Sequence, residues 1–356
     1  MVKLKIVPLI IANFYTSIIA GSIFFSAPAP AVTFALPSVG ETVVGRNLIV
    51  PAKASETLLD IARRYDVGYS EIKAANPDID LWLPKEGSLV VVPAQYVLPQ
   101  APRRGIVINL AEMRLYYFPE PSSAQPSTVV THPIGIGREG WSTPLGRTSV
   151  ISKKKNPAWV PPESIRAEHA ADGNPLPKRV PPGPDNPLGK FAMRLGMPGY
   201  LIHGTNRPWG VGMRVSHGCI RLYPEDILGL FSQVKVGTPV NIVYQPFKAG
   251  IKDGILYLEA HAPLPELENS EQGALTSMVA AIVAITDKPI QDINWELAKR
   301  TAADRTGIAT RVSEIDDGNS LSRAGRAAGY EYSKAEISYQ EILTFKIPSG
   351  PIASLF

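Results

Sequence analysis

Between residues 104 and 245 the chain advances in short β-favouring stretches: Ile106-Val107-Ile108-Asn109, Met113-Arg114-Leu115-Tyr116-Tyr117, Thr128-Val129-Val130, Thr148-Ser149-Val150-Ile151, Tyr200-Leu201-Ile202-His203 and Val240-Asn241-Ile242-Val243-Tyr244. Runs of this length cross a sheet but are too short for a packed helix. With 34 prolines and 29 glycines in 356 residues, turns recur too often for an all-helical core, so the segment reads as a mainly β domain, sandwich or barrel in type. One helix is expected inside it. Pro224 suits a first helical position, Glu225 and Asp226 favour its positive end, and Leu228, Phe231 and Val234 follow as a buried stripe. The Pro-rich passage from Asn156 to Gly189 has little periodicity and is expected to be loop, its Trp159 lining a groove together with Trp141 and Trp209.

Two further units flank this domain. From about residue 44 to 97 the pattern is strand (Leu48-Ile49-Val50), helix (capped by Ser55, with Leu58, Leu59, Ala62 and Tyr65 on one face), second short helix (Ser70-Glu71 to Asn76-Pro77) and strand (Leu89 to Val92). This predicts a small α+β domain of βααβ order, joined by a small-residue linker at 32–43. Residues 250–313 read as an α-containing C-terminal subdomain, with Trp295 and Leu297 as buried candidates. The tail 314–356, rich in Ser, Gly and charge, is expected to be partly disordered.

Lys3 and Lys5 precede an apolar run from Ile6 to Phe25 and then Ala29-Pro30-Ala31, the pattern of a secretory signal peptide over residues 1–31. Cleavage after Ala31 fits the small-x-small rule; an uncleaved anchor is the alternative. Of the net charge of +4, two units belong to Lys3 and Lys5, so the exported chain carries no electrostatic argument for nucleic acid. Lys153-Lys154-Lys155 reads as a solvated strand end.

Cys219 is the only cysteine. In an oxidising compartment a single thiol has no intrachain partner, and it stands out as reactive or intermolecular. Its surroundings favour chemistry. His217 lies two residues before it and His203 sixteen before, at the end of a predicted strand from which it can face Cys219 across the sheet. A thiol attacks as thiolate, and an imidazole or other positive charge helps to form it from a group of pKa about 8.5. Gly218 lets the amides of Gly218 and Cys219 point at a tetrahedral oxyanion, and Arg221 returns to the same side of an extended chain, where it can anchor a carboxylate or brace the loop. His132 and His169 lie outside this segment. No spacing among the histidines matches paired metal ligands, so a zinc site built from them has little support.

The segment His203-Gly204-Thr205 followed by Ser216-His217-Gly218-Cys219-Ile220-Arg221-Leu222 resembles the active-site signature of the YkuD-type L,D-transpeptidases of bacterial cell walls. Ser142-Thr143-Pro144-Leu145-Gly146 and Tyr223-Pro224-Glu225-Asp226-Ile227 extend the similarity over about residues 104 to 245. Gly254 to Glu259 resembles the C-terminal subdomain of the periplasmic Gram-negative branch, and residues 44–97 resemble a LysM module, which binds glycan containing N-acetylglucosamine. The resemblance implies a periplasmic enzyme whose Cys219 thiolate attacks the carbonyl between the third-position diamino acid and D-alanine of a peptidoglycan stem. It implies His203 as general base and acid, His217 as a positioning group, and Gly218 as an oxyanion amide. Arg221, Ser216, Gly204, Thr205 and Trp209 are implied at the substrate, Ser216 as a structural hydrogen-bonder rather than a second nucleophile. The acceptor is another stem's amine or the lysine of an outer-membrane lipoprotein, carbapenems are implied as acylating inhibitors, and the implied chemistry needs no metal or organic cofactor.

Two other functions fit the same residues. Water as acceptor gives a carboxypeptidase or crosslink-cleaving endopeptidase, and a non-catalytic wall-binding protein would rely on residues 44–97 alone.

Overall fold

The computed structural model describes residues 32–121, 126–267, 271–285 and 293–313. The expected leader and the tail from 314 onward lie outside the described residues. Nine strands form one sheet in the spatial order Val32–Ala35, Thr128–Pro133, Arg114–Phe118, Gly105–Asn109, Pro239–Val243, Gly146–Lys155, Phe191–Leu195, Leu201–His203 and Ile220–Arg221. Neighbours are antiparallel except for two parallel pairs, Pro239–Val243 beside Gly105–Asn109 and Ile220–Arg221 beside Leu201–His203. The sequence of the first strand, small and uncharged, reads as linker. It instead pairs from Val32 opposite Thr131 to Ala35 opposite Thr128, a long-range partnership that local composition does not encode.

Gly105–Asn109 and Arg114–Phe118 are buried at every residue. Because side chains alternate across a strand, Ile106, Ile108 and Leu115 enter one core while Val107, Tyr116 and Phe118 enter another with Val44, Tyr96 and Leu98. Each fully buried aliphatic side chain contributes about 1.5–3 kcal/mol, which makes both faces of the sheet stabilising. The helix Pro224–Gln233 closes the first core. Its buried side is Asp226, Ile227 and Leu230; of the expected stripe Val234 is buried and Phe231 packs against the core, whereas Leu228 is 52% exposed, and Asp226 turns inward toward His132. Lys153, rather than being solvated, donates its Nζ to the carbonyls of Phe231 and Val234 and so satisfies that helix's C-terminal acceptors.

The Pro-rich passage is not all loop. It contains the helix Glu163–Ala171, in which Ile165 is the one buried residue, too little apolar content for periodicity to reveal.

In the N-terminal unit, strands Leu48–Pro51 and Leu89–Val92 pair antiparallel around helices Leu58–Arg64 and Tyr69–Ala75. Thr57, not Ser55, caps the first helix, exchanging hydrogen bonds with Asp60 in a capping box. Asn76 ends the second: its buried amide donates to the Ile72 and Val91 carbonyls and accepts from the Val91 N–H, each at 2.8 Å. In the C-terminal unit, strands Phe247–Lys252, Ile255–Ala260 and Thr310–Arg311 pack under helices Glu271–Val283 and Trp295–Asp304. Trp295 is 41% exposed and does not anchor its helix; Ala298, Thr301 and Ala302 do.

Buried charges join the three units. Arg114, wholly buried, donates to Glu71 from Nε at 2.8 Å and Nη2 at 2.9 Å, and to the Asp66 carbonyl at 2.9 Å. Lys248 reaches Glu112 at 2.6 Å and Glu259 at 2.8 Å, and Glu259 accepts from the Val97 N–H. At Gly212 the backbones of two units nearly touch: φ is +81°, and a Cβ there would meet the Tyr69 nitrogen at 2.2 Å. The N–H groups of Tyr69 and Ser70 donate to the carbonyls of Val211 and Gly212. No helix among the described residues is long and apolar enough to cross a membrane.

Candidate active site

Leu201–His203 and Ile220–Arg221 lie parallel, with Ile202 opposite Ile220 and His203 opposite Arg221. Both isoleucines are fully buried in the main core, so by alternation His203, Arg221 and the adjoining Cys219 project from the opposite face. The sequence expectation that His203 and Cys219 share a face therefore agrees with the register. They are not registered partners, however. Arg221 stands beside His203, and Cys219 is its diagonal neighbour, a step that in sheets is roughly 7–8 Å.

Hydrogen bonding at rest follows that offset. Cys219 Sγ lies 3.7 Å from the Gly199 carbonyl, and the Leu201 N–H points at the sulfur. His203 Nδ1 lies 2.5 Å from the Gly204 carbonyl; since that oxygen only accepts, the proton is assigned to Nδ1. Among the described residues no hydrogen bond joins the thiol to an imidazole. Burial pushes the Cys219 thiol above its ordinary value, against smaller opposing effects of the Leu201 amide and the Arg221 charge. Burial, then the Arg221 charge, drives His203 down to about 3, although the Gly204 and Leu188 carbonyls favour its protonated form. The resting pair is thus neutral thiol and neutral imidazole.

The loop before Cys219 is held by its own backbone. Ser216 Oγ donates to the Cys219 carbonyl at 2.6 Å and accepts from the Gly218 N–H at 3.1 Å, and Thr143 Oγ1 donates to the Gly218 carbonyl at 2.8 Å. Gly218 has φ +97°, and a Cβ there would meet Tyr200 Cε1 at 2.7 Å, so glycine is demanded both by conformation and by the ring above it. Its N–H, expected at an oxyanion, is already spent on Ser216; the Cys219 N–H has no such partner among the described residues.

Ser216, Thr205 and Gly204 face inward, Ser216 as the structural hydrogen-bonder expected of it. Ser216 is 1% exposed and braces the loop. Thr205 is 5% exposed, with its hydroxyl accepting the Arg207 N–H, and Gly204 is packed so that a Cβ would lie 3.0 Å from Ile227 Cγ2. Trp209 is 59% exposed on the turn Pro208–Gly210. Arg221 is largely buried, and its Nε has no hydrogen-bond partner among the described residues; burial and the Arg207 charge lower its pKa.

His217 is set by Trp141 and by two charged residues that carry no sequence signal. Trp141 meets its ring edge-on at 4.8 Å, while Glu168 Oε2 and Arg138 Nη2 lie 3.1 and 3.2 Å from Nε2. A carboxylate accepts and a guanidinium donates, so one tautomer serves Glu168 and the other Arg138. Burial holds the His217 pKa down, with Glu168 opposing. Glu168 was not foreseen because it lies on the helix read as loop, and Arg138 and Trp141 lie across a turn some 80 residues upstream of His217.

Residues 103–242 match the YkuD family model, described as the L,D-transpeptidase catalytic domain. Probable L,D-transpeptidase YbiS of Escherichia coli K12 is 40% identical over 296 residues, covering 81% of this chain and 94% of that protein. The chain belongs to the YkuD-type L,D-transpeptidase family. Probable L,D-transpeptidase YcfS of the same strain is 46% identical over 253 residues, 69% of this chain and 78% of that protein. Probable L,D-transpeptidase ErfK/SrfK of Salmonella typhimurium LT2 is 41% identical over 281 residues, 76% and 89% respectively. The family match ends three residues short of the sequence-read boundary at 245 and encloses Cys219, both neighbouring histidines and Thr143.

Proposed function

We propose that this protein is a periplasmic L,D-transpeptidase of peptidoglycan in which Cys219 is the nucleophile and His203 carries the proton. The observation that supports this most is the shared face of His203, Cys219 and Arg221, opposite to the core isoleucines between them. In the acylation step Cys219 Sγ bonds to the carbonyl carbon of the third-position residue, and the bond from that carbon to the D-alanine nitrogen breaks. The thiol proton passes through His203 to the departing amine, leaving a thioester. An acceptor amine then attacks the thioester, the new amide forms, and the thiol is restored. Because the imidazole is neutral and the thiol protonated at rest, proton transfer accompanies attack instead of preceding it. A ring turn that releases Nδ1 from the Gly204 carbonyl brings the imidazole to this task.

The Cys219 N–H is the oxyanion donor in this reading, and Gly218 serves it through conformation. The unpartnered Arg221 Nε, with Arg207 beside it, supplies positive charge for the free carboxylate of a third-position diamino acid. His217 positions the loop through Glu168 and Trp141. Residues 44–97 act as a LysM module on the glycan strands; Trp82, 59% exposed, and Leu83, 82% exposed, offer the apolar surface on which a sugar ring stacks. Carbapenems acylate Cys219, and a lysine of an outer-membrane lipoprotein is an acceptor alongside the stem amine.

Incubation with disaccharide-tetrapeptide and separation of products by mass spectrometry tests the reading. A dimer joined between third-position residues, absent with Cys219→Ala, is expected. Tripeptide and D-alanine without dimer, in the presence of amine acceptor, would make the enzyme a hydrolase. Retention on sacculi should fall with Trp82→Ala; deletion of 44–97 is a poor test, since it uncovers Arg114 and Tyr116 in the catalytic sheet.

A further inference from the structure

Asp66, His132 and Asp226 meet in the interior, where the N-terminal unit, the strand Thr128–Pro133 and the first turn of helix Pro224–Gln233 converge. His132 is 0%, Asp226 3% and Asp66 4% exposed. His132 Nδ1 lies 3.3 Å from Asp66 Oδ2 and 3.5 Å from Asp226 Oδ1, and one ligand atom from each residue lies within 4.8 Å of the others. Both contacts are at ion-pair distance, but neither has the geometry of a hydrogen bond. Both ring nitrogens of His132, both carboxylate oxygens of Asp66, and Asp226 Oδ2 have no hydrogen-bond partner among the described residues. Five orphaned polar atoms on three buried side chains would cost about 1–3 kcal/mol each if nothing joined them.

The separations have a specific meaning. A nitrogen–oxygen hydrogen bond spans about 2.7–3.2 Å, whereas two ligands of a tetrahedral zinc, each bound at about 2.0–2.1 Å, stand about 3.3–3.4 Å apart. The 3.3 Å from His132 to Asp66 matches the second figure, and the 3.5 Å to Asp226 lies just beyond it. The donor set, one imidazole and two carboxylates, suits a divalent ion of the zinc class, and two carboxylates neutralise its charge. Arg114, which donates to the Asp66 carbonyl, is matched by Glu71, and Arg63 is matched by Glu225, so their charges are offset. The other buried acidic cluster, Glu112, Glu259 and His261, is a useful contrast: Lys248 fills it with short ion pairs, and it leaves no orphaned atom.

We propose that Asp66, His132 and Asp226 form a buried structural site for a divalent metal ion, zinc in chemistry, which staples the N-terminal unit to the catalytic domain beside the active-site strand. Asp226 lies five residues after Arg221, so the staple also anchors the helix that follows the catalytic loop. The ligands come from residues 66, 132 and 226, separations that no metal motif in sequence would reveal. The site is independent of the acyl-transfer reading, because none of its members is a residue assigned to that chemistry.

The test uses the full chain carrying Cys219→Ala, so that the thiol does not bind metal. After stripping with a chelator, incubation with Zn²⁺ and gel filtration, elemental analysis should find about one zinc per chain. X-ray absorption should give a shell of one nitrogen and oxygens near 2.0–2.1 Å, and the melting temperature should rise by several degrees on zinc addition and fall again with chelator. Asp226→Asn and His132→Gln should each lower retained zinc at least tenfold, and Asp226→Asn, which keeps the side chain's shape, should remain folded by circular dichroism. Zinc below about a tenth of an equivalent in the folded parent chain would overturn the proposal, as would equal retention by folded Asp226→Asn. A protonated His132 observed by NMR at neutral pH with zinc present would overturn it as well, the two carboxylates then being held by an imidazolium alone.

Discussion

The electrostatics of the resting site make a definite claim about how Cys219 reacts with a small electrophile. Burial raises the thiol pKa, the nearby Arg221 charge only partly offsets this, and His203, held down to about 3, is uncharged across the working range and cannot form an imidazolium–thiolate pair. A thiol at or above the usual value of about 8.5 is at most about 3% thiolate at pH 7. The alkylation rate of Cys219 by iodoacetamide, followed by intact mass, should therefore rise about tenfold per pH unit from pH 6 to 8, with no plateau at the acid end. His203→Gln should leave that profile nearly unchanged, yet slow acylation by a tetrapeptide stem by about 10²–10⁴-fold, the range of general acid–base catalysis. Arg221→Ala should displace the profile to higher pH, since the lost positive charge favoured the thiolate. A rate that stays flat between pH 5 and 7 would refute the argument, for it would reveal a thiolate already formed beside a protonated imidazole.

Further outcomes follow from the packing. Gly218→Ala forces a side chain into a φ of +97° and against Tyr200; left-handed backbone costs an L-residue about 1–2 kcal/mol, and a shift of about 1 Å in the thiol should cut kcat/KM about 10²-fold, with Tyr200→Ala giving only partial recovery in the double variant. Glu71→Ala leaves the buried Arg114 without its carboxylate, which should lower unfolding free energy by about 3–5 kcal/mol in urea titrations. Glu168→Gln should lower the His217 pKa further, measured by NMR, because Glu168 is the group that holds it up.

Much of the site was legible because its chemistry is local. The thiol, the histidine two residues before it and the glycine between them are adjacent in the chain, and alternation along a strand puts Arg221 on the thiol's face, whereas His203 joins them through the register of the neighbouring strand. What was missed depends on distance along the chain or on burial of charge. Gly204 and Thr205 sit in the signature, yet they face inward, a distinction that needs the partners Ile227 and Arg207 in space. The helix Glu163–Ala171 buries one side chain, so hydrophobic periodicity could not announce it, and Glu168 was lost with it. Arg114, Glu71, Lys248 and Asp66 look like solvated charges in one dimension. They are interior because their counter-charges arrive from segments 43 residues away, for Arg114 and Glu71, or 136 away, for Lys248 and Glu112.

The most direct test of the central claim is the intact mass of the protein during reaction with disaccharide-tetrapeptide in the absence of an acceptor amine. The account predicts an adduct equal to the disaccharide-tripeptide acyl group, lost on treatment with hydroxylamine, matched one-for-one by released D-alanine and located on Cys219 by peptide mapping. D-alanine released at an undiminished rate by Cys219→Ala, or an adduct on any other residue, would contradict it.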